Sequence, residues 1–218
     1  SSGEPYYQYH VEVRSGGGVY FALSLNGTRK TTQTSTTLTA GQWHHIACVY
    51  NGSTIKIYID GIEKSSTNAT GSISTYSTSL YIGAHSGPSD IGSFDGLIDE
   101  VRIWSDERTA SEISANKSIE LNGNESNLVG YYKLNETDTN TVASNSASAT
   151  GDSYDGALTN MTGTEWTTST AFPDSTAPTI SSVTANWGDF LTEVEDDVNG
   201  TVTVVSSGAE DGQTVTLT

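Results

Sequence analysis

Trp43-His44-His45-Ile46-Ala47-Cys48-Val49-Tyr50-Asn51-Gly52-Ser53-Thr54-Ile55-Lys56-Ile57-Tyr58-Ile59-Asp60-Gly61 is the stretch on which the fold turns. Ile55, Ile57 and Ile59 alternate with Lys56 and Tyr58. A period of two places the isoleucines on one face of a strand and the polar partners on the other. An apolar strand over 43–50 precedes it, and Asn51-Gly52 lies between the two. That dipeptide suits a turn needing positive φ, as does Asp60-Gly61 at the far end. The alternation continues outward. Tyr7, Tyr9, Val11 and Val13 alternate with Gln8, His10, Glu12 and Arg14, and Val19, Phe21, Leu23 and Leu25 follow Gly16-Gly17-Gly18. These patterns predict half-buried antiparallel strands. A helix is predicted at about 110–117, where Thr109-Ala110-Ser111-Glu112 forms a capping box ahead of Ile113. The fold class is therefore all-β, an antiparallel sandwich of many strands.

Composition narrows the functional classes. The 218 residues hold 9 Lys+Arg against 26 Asp+Glu, a net charge of −17. Nucleic acid needs a basic footprint that this chain lacks, and an anionic membrane surface would repel it. No run of about 18 apolar residues exists to insert in a bilayer. The single Cys48 excludes a disulfide framework within the chain. Low Lys+Arg with abundant Ser, Thr, Asn and Gly fits a secreted protein of the bacterial cell surface. The opening Ser1-Ser2-Gly3-Glu4-Pro5 is expected to be an interior cut rather than a native start. After Lys133 there is no basic residue, while 13 acids follow. Such a segment repels itself unless a cation neutralises it, and calcium is the usual extracellular one; solubility alone is the other explanation.

Residues 1–172 are expected to form the sandwich, 173–178 a linker flanked by Pro173 and Pro178, and 179–218 a second domain. Strands near 179–185, 201–205 and 214–218 look immunoglobulin-like, but the stretch is too short for a sandwich of about 100 residues. It is expected to be the opening part of such a domain.

Asp99 is the most informative single residue. On a strand over 94–104 it would share a face with Leu97, Val101 and Ile103. A carboxylate facing the core needs a partner: a calcium ion, backbone amides or an arginine. His44 and His45, adjacent on a strand, point to opposite faces and are expected to be structural. Cys48 is expected to be an inert core thiol. Trp43, Trp104 and Trp166 are expected mostly in the core, while Tyr6, Tyr7, Tyr9, Tyr20 and Tyr58 offer sheet-face packing or stacking platforms. Paired carboxylates spaced E-x-D-x-x-E would mark a glucanase strand. Glu136-Thr137-Asp138 and Glu195-Asp196-Asp197 begin that pattern, but Thr141 and Gly200 stand where the last glutamate would be. No G-x-S-x-G elbow, H-E-x-x-H helix or phosphate loop occurs.

Trp43–Tyr50, Ile57–Gly61, Leu80-Tyr81-Ile82-Gly83, Phe94-Asp95-Gly96-Leu97-Ile98-Asp99-Glu100-Val101-Arg102-Ile103-Trp104 and Glu112-Ile113 follow in an order and spacing that resembles the laminin-G-like, pentraxin-like jelly roll of the concanavalin A-type superfamily. The resemblance covers about 5–170, and the family's opening strands would precede residue 1. It implies a structural calcium at Asp99, which matches the aspartate that related glucanases place before a Val-Arg-Val-like run. It also implies ligand binding on the loop 84–95, which follows a strand expected at 80–83 and whose counterpart in pentraxins supplies carboxylates to calcium. There Asp90 and Asp95 are the acids, with Glu4 from the chain start as a further metal ligand, and His85, Ser89 and Asp90 as ligand-binding residues. Ser175–Thr218, through Thr176-Ala177-Pro178, Val202–Val205 and Glu210–Val215, resembles the tandem extender domains of bacterial repeats-in-toxin adhesins. That resemblance implies neighbouring extender domains and a junction calcium at Asp174. The expected function is a non-catalytic adhesin module binding a glycan or cell-surface protein with calcium. The alternatives are a calcium-binding spacer and a polysaccharide-degrading enzyme of the same superfamily.

Overall fold

The computed structural model describes residues 7–84, 94–136, 142–148, 154–158, 166, 171, 179–185 and 202–207, the last two stretches as backbone only. Contacts divide the chain into two compact units, Ser1–Ala171 and Phe172–Thr218.

Two three-stranded antiparallel sheets make the body of the first unit. β1 (Tyr9–Val13), β2 (Gly18–Leu25) and β3 (Thr28–Thr37) form one, in that order; β4 (Ile46–Tyr50), β5 (Thr54–Ile59) and β6 (Ile62–Asn68) form the other. Tight turns set the register. Asn26 and Gly27 have φ of 50° and 75°, and Asp60 and Gly61 have 54° and 82°, the doubly positive pairs that join strands with the right twist. Val19, Phe21, Leu23 and Leu25 of β2 then face Ile55, Ile57 and Ile59 of β5, all at most 4% exposed. Each such burial is worth roughly 1.5–3 kcal/mol, and this layer holds the sheets together.

β3 and β6 carry no apolar alternation and were not expected from the pattern. Their contact is polar. Thr32 Oγ1 lies 2.7 Å from Ser65 Oγ and accepts from Thr67 Oγ1 at 3.0 Å. Thr34 Oγ1 accepts from Val19 N at 3.0 Å and donates to Thr36 O at 2.8 Å. Satisfied hydroxyls let threonine occupy a buried position without the cost of an unmet hydrogen bond.

A third ladder pairs β7 (Val101–Trp104) with β8 (Leu128–Tyr132), and α1 (Ala110–Asn116) lies between them in sequence. The capping box is present: Glu112 N donates to Thr109 Oγ1, and Thr109 N donates to Glu112 Oε2. Ile113 packs on Val49 and Tyr58, so α1 covers the outer face of the second sheet. Short strands β9 (Val142–Ala143) and β10 (Gly156–Ala157) pair with each other. In the second unit β11 (Thr179–Ala185) and β12 (Val202–Ser207) form an antiparallel pair. The architecture is an antiparallel β-sandwich with one short helix among the described residues.

Three expectations need correction. The strand expected over 43–50 begins at Ile46, because His45 N donates to Asp60 Oδ1 at 2.9 Å instead of to a ladder. Residues 80–83 lie outside any ladder, and Leu80, Tyr81 and Ile82 are exposed. The strand expected over 94–104 starts only at Val101, since Glu100 has φ of +56° and breaks the extended run. The linker 173–178 and the strand at 214–218 lie outside the described residues.

Gly123 has φ of +87°, and a Cβ there would sit 2.1 Å from Ser146 O. Gly52 also has positive φ, at +86°, but faces open space. Gly123→Ala is expected to cost roughly 2–5 kcal/mol and Gly52→Ala about 1–2 kcal/mol by urea unfolding. Equal losses would contradict this packing.

Candidate functional site

Two stems, 80–84 and 94–98, flank the loop 85–93, which lies outside the described residues. Phe94 N donates to Gly83 O at 2.8 Å and ties the stems together. Gly83, with φ of +80°, has Ile98 Cδ1 3.4 Å from where its Cβ would be. The Phe94 ring lies across Gly96, whose Cβ position is 2.8 Å from Phe94 Cε1; any side chain there would displace the ring. Around this junction Leu80, Tyr81, Ile82, Phe94 and Leu97 are all exposed, Tyr81 at 53% and Phe94 at 42%. Asp95, next to Phe94 in sequence, is exposed as well. Exposed rings beside a carboxylate can stack on the apolar face of a sugar while accepting from its hydroxyls.

The sequence-predicted residues are partly placed. Asp95 stands on the stem and Asp99 is half-buried just beyond it. Glu4, His85, Ser89, Asp90 and Asp174 lie outside the described residues. Among the described residues no three His, Cys, Asp or Glu side chains converge as a metal site. Calcium takes 6–8 oxygen ligands, so Asp95 and Asp99 could contribute to such a site but not complete it.

Glu100, the residue after Asp99, carries its carboxylate into the interior. Its side chain is 7% exposed and that of Arg102 is 9% exposed. Arg102 Nη2 donates to Glu100 Oε2 at 2.6 Å, and so does the Tyr131 hydroxyl at 2.6 Å. Leu97, expected on the same inward face as Asp99, is 55% exposed. The positive φ at Glu100 changes the phase of the alternation, so side chains before and after it do not share one face. Arg102 also donates to Asn116 O at 2.7 Å and to Ile119 O. Tyr131 Oη in turn accepts from Leu121 N at 3.0 Å. Burial raises the Glu100 carboxyl above the usual carboxylate range, although Tyr131 and Arg102 pull the other way. Burial raises the Tyr131 hydroxyl as well, with the bond to Glu100 adding to it.

Sequence reasoning placed His44 and His45 in structural roles, and both attach to the Asp60 turn. Thr39 N donates to His44 Nε2 at 3.0 Å, so His44 Nδ1 is the donor to Asp60 Oδ2 at 2.8 Å. For Asp60, burial acts to raise the carboxyl, but the bonds from His44 and the His45 amide outweigh it and leave it lowered. His45 is pushed down to about 4, first by burial and then by the nearby Arg102 charge. Cys48 is pushed up to about 12 by burial, which suits an inert thiol. Trp104 packs on Leu128 and Tyr131, while Trp43 and Trp166 are half-buried.

Residues 1–114 match the laminin-G family model described as the concanavalin A-like lectin/glucanases superfamily. No curated protein matches the chain. Two solved structures are similar to it. An S-layer domain-containing protein from Clostridium thermocellum (residues 221–444) is 28% identical over 53% of this chain and 58% of that one, with a TM-score of 0.33. A proposed carbohydrate-binding protein from Bacteroides ovatus is 20% identical over 71% of this chain and 51% of that one, with a TM-score of 0.48. The chain therefore spans just over half the length of either.

The His45 position yields a pH prediction. Its folded pKa of about 4 lies below the unfolded value of about 6.5, so unfolding takes up a proton between them. Stability is fully present above pH ~6.5 and falls by up to about 3 kcal/mol as pH drops towards 4. Urea midpoints at pH 7, 5 and 4 should show a smaller drop in His45→Gln; an identical drop would contradict the assignment.

Proposed function

Because this chain belongs to the concanavalin A-like lectin/glucanases superfamily, we propose that it is a non-catalytic carbohydrate-binding module of a bacterial cell-surface adhesin. The ligand is held at the rim formed by 80–84 and 94–98. The observation that supports this reading is the group of exposed apolar side chains on the two stems, Tyr81 on one and Phe94, next to Asp95 in sequence, on the other. A soluble domain gains nothing by leaving two aromatic rings in water at one place unless something covers them. The flat faces of a pyranose fit, and carboxylates accept from sugar hydroxyls.

Calcium belongs to the proposal. Asp90, Asp95 and Glu4 are the carboxylates that would hold one ion at the loop, where it would supply a fixed positive centre for sugar oxygens, with separate ions at Asp99 and Asp174. Attachment to an adhesin rests on the extender-like tail and on the composition. Among the described residues no helix is long and apolar enough to cross a membrane. Lack of catalysis rests on the missing E-x-D-x-x-E run. A second reading, a calcium-binding spacer, is favoured by the acid-only stretch after Lys133.

A glycan array probed in calcium and again in chelator tests the reading. Binding to a defined glycan class, weakened about tenfold or more by Tyr81→Ala or Phe94→Ala, is expected. Calcium should raise the melting temperature by several degrees. A calcium-dependent melting shift without any glycan signal would favour the spacer. New reducing ends after incubation with β-glucan or alginate would contradict the non-catalytic assignment.

A further inference from the structure

The outer face of the first sheet differs from that of the second. α1 covers the second through Ile113, whereas no described helix packs on the first. On β1 the residues alternating with Tyr9 and Val11 are His10 and Glu12, and they lie on this face, as does Arg14 just past the strand, over the Tyr20 ring. Register places Glu12 beside Tyr20 and Gln33, His10 beside Ala22 and Thr31, and Arg29 beside Ser24. The floor is closed: Tyr20 is 9% exposed, and Ala22 and Ser24 are fully buried. Above it stands a layer of rings and guanidinium groups. The Arg14 guanidinium lies 3.8 Å over the Tyr20 ring, donates to Gln33 Oε1 at 2.8 Å and reaches Glu12 Oε2 at 3.5 Å. The Tyr7 and His10 rings meet edge to face at 5.2 Å, and His10 meets Tyr20 at 6.3 Å. The exposed Arg29 side chain lies near the Tyr7 hydroxyl and interacts with it electrostatically.

The result is a continuous line: Arg29, Tyr7, His10, Tyr20, Arg14, Gln33. Arg29 and Gln33 are four residues apart on β3, about 14 Å at the rise of a strand. That is the reach of a short oligosaccharide and not of one sugar. Charge makes the line unusual here. The chain has 9 basic residues against 26 acidic ones, yet two arginines share this face with one acid, Glu12. The net charge of −17 disfavours a polyanion on the chain as a whole, so an anionic ligand here would depend on these two arginines.

We propose that the outer face of β1–β2–β3 is a second binding surface, for an acidic saccharide, with Arg14 and Arg29 taking the carboxylates of uronic acid units and Tyr7 and His10 stacking between them. Guanidinium forks match carboxylates in bidentate geometry, and Arg14 is pre-oriented by Tyr20 and Gln33. An acidic peptide fits less well. Peptides gain affinity on sheets by pairing at an edge, here β1 or β3, whereas these groups stand on the face of the sheet.

Calorimetric titration of the whole chain with an oligogalacturonate, and with a neutral glucan oligomer of equal length, tests this. The acidic oligomer should bind and the neutral one should not. Arg29→Gln should weaken binding about tenfold, the loss of one charge-assisted bond, with no change in melting temperature because the side chain is in solvent. Arg14→Gln should weaken it as well, and raising the salt should do the same to the parent protein. Tyr81→Ala should leave it intact, which separates this surface from the rim. Equal binding of the neutral oligomer, no effect of either arginine change, or equal competition by polyglutamate would each overturn the proposal. Loss of binding in Tyr81→Ala would overturn it too and place the ligand at the rim; absence of any acidic binding would overturn it while leaving the rim reading untouched.

Discussion

A carboxylate and a guanidinium withdrawn from water together decide how the last third of the first unit is held. Neither Glu100 nor Arg102 could be buried alone, since an unpaired charge in the interior costs several kcal/mol. Together, with Tyr131 donating to the same oxygen, they satisfy one another. The pair also fixes its surroundings. Arg102 holds the carbonyls of Asn116 and Ile119 at and beyond the end of α1, and Tyr131 holds the amide of Leu121. The residues that follow the helix are thereby tied to the β7–β8 ladder. The same guanidinium charge helps keep His45, at the start of the second sheet, neutral. One buried pair thus reaches the helix end, the third ladder and the second sheet.

This arrangement bears directly on metal. Glu100 needs no ion, because Arg102 and Tyr131 neutralise it. The calcium proposed for this domain is assigned to Asp99 and to the loop acids. Function is correspondingly displaced to the surface. The stems of the 85–93 loop present rings in solvent, and the outer face of the first sheet presents guanidinium groups braced by rings. Both are places where the sandwich supplies rigidity and exposed side chains supply recognition.

Much of the architecture could be read from alternation. Val19 to Leu25 and Ile55 to Ile59 announce the core because each places three or four apolar groups on one face. Thr109 and Glu112 announce the helix start because both capping partners are local. What could not be read is equally physical. β3 buries Thr32 and Thr34, with the half-buried Ser65 of β6 against Thr32, and a hydroxyl signals burial only when its partner on another strand is known. Glu100 was passed over because alternation presumes extended backbone, and Glu100 is left-handed. Of the rim, Asp95 was legible from its loop, whereas the exposed rings at 81 and 94 were read as strand residues. The Arg14, Arg29 and Gln33 line has no motif at all. Its one sequence signal is that Arg14 shares a face with His10 and Glu12; the rest needs the cross-strand register of β2 and β3.

The buried pair can be tested by a double-mutant cycle of Glu100→Leu and Arg102→Leu, measured by urea unfolding. Each single change should cost about 3–5 kcal/mol, because it strands the other charge. The double variant should lose far less than the sum, with a coupling of about 1–3 kcal/mol or more. Additive losses would show that the two charges do not depend on each other, and would contradict the account.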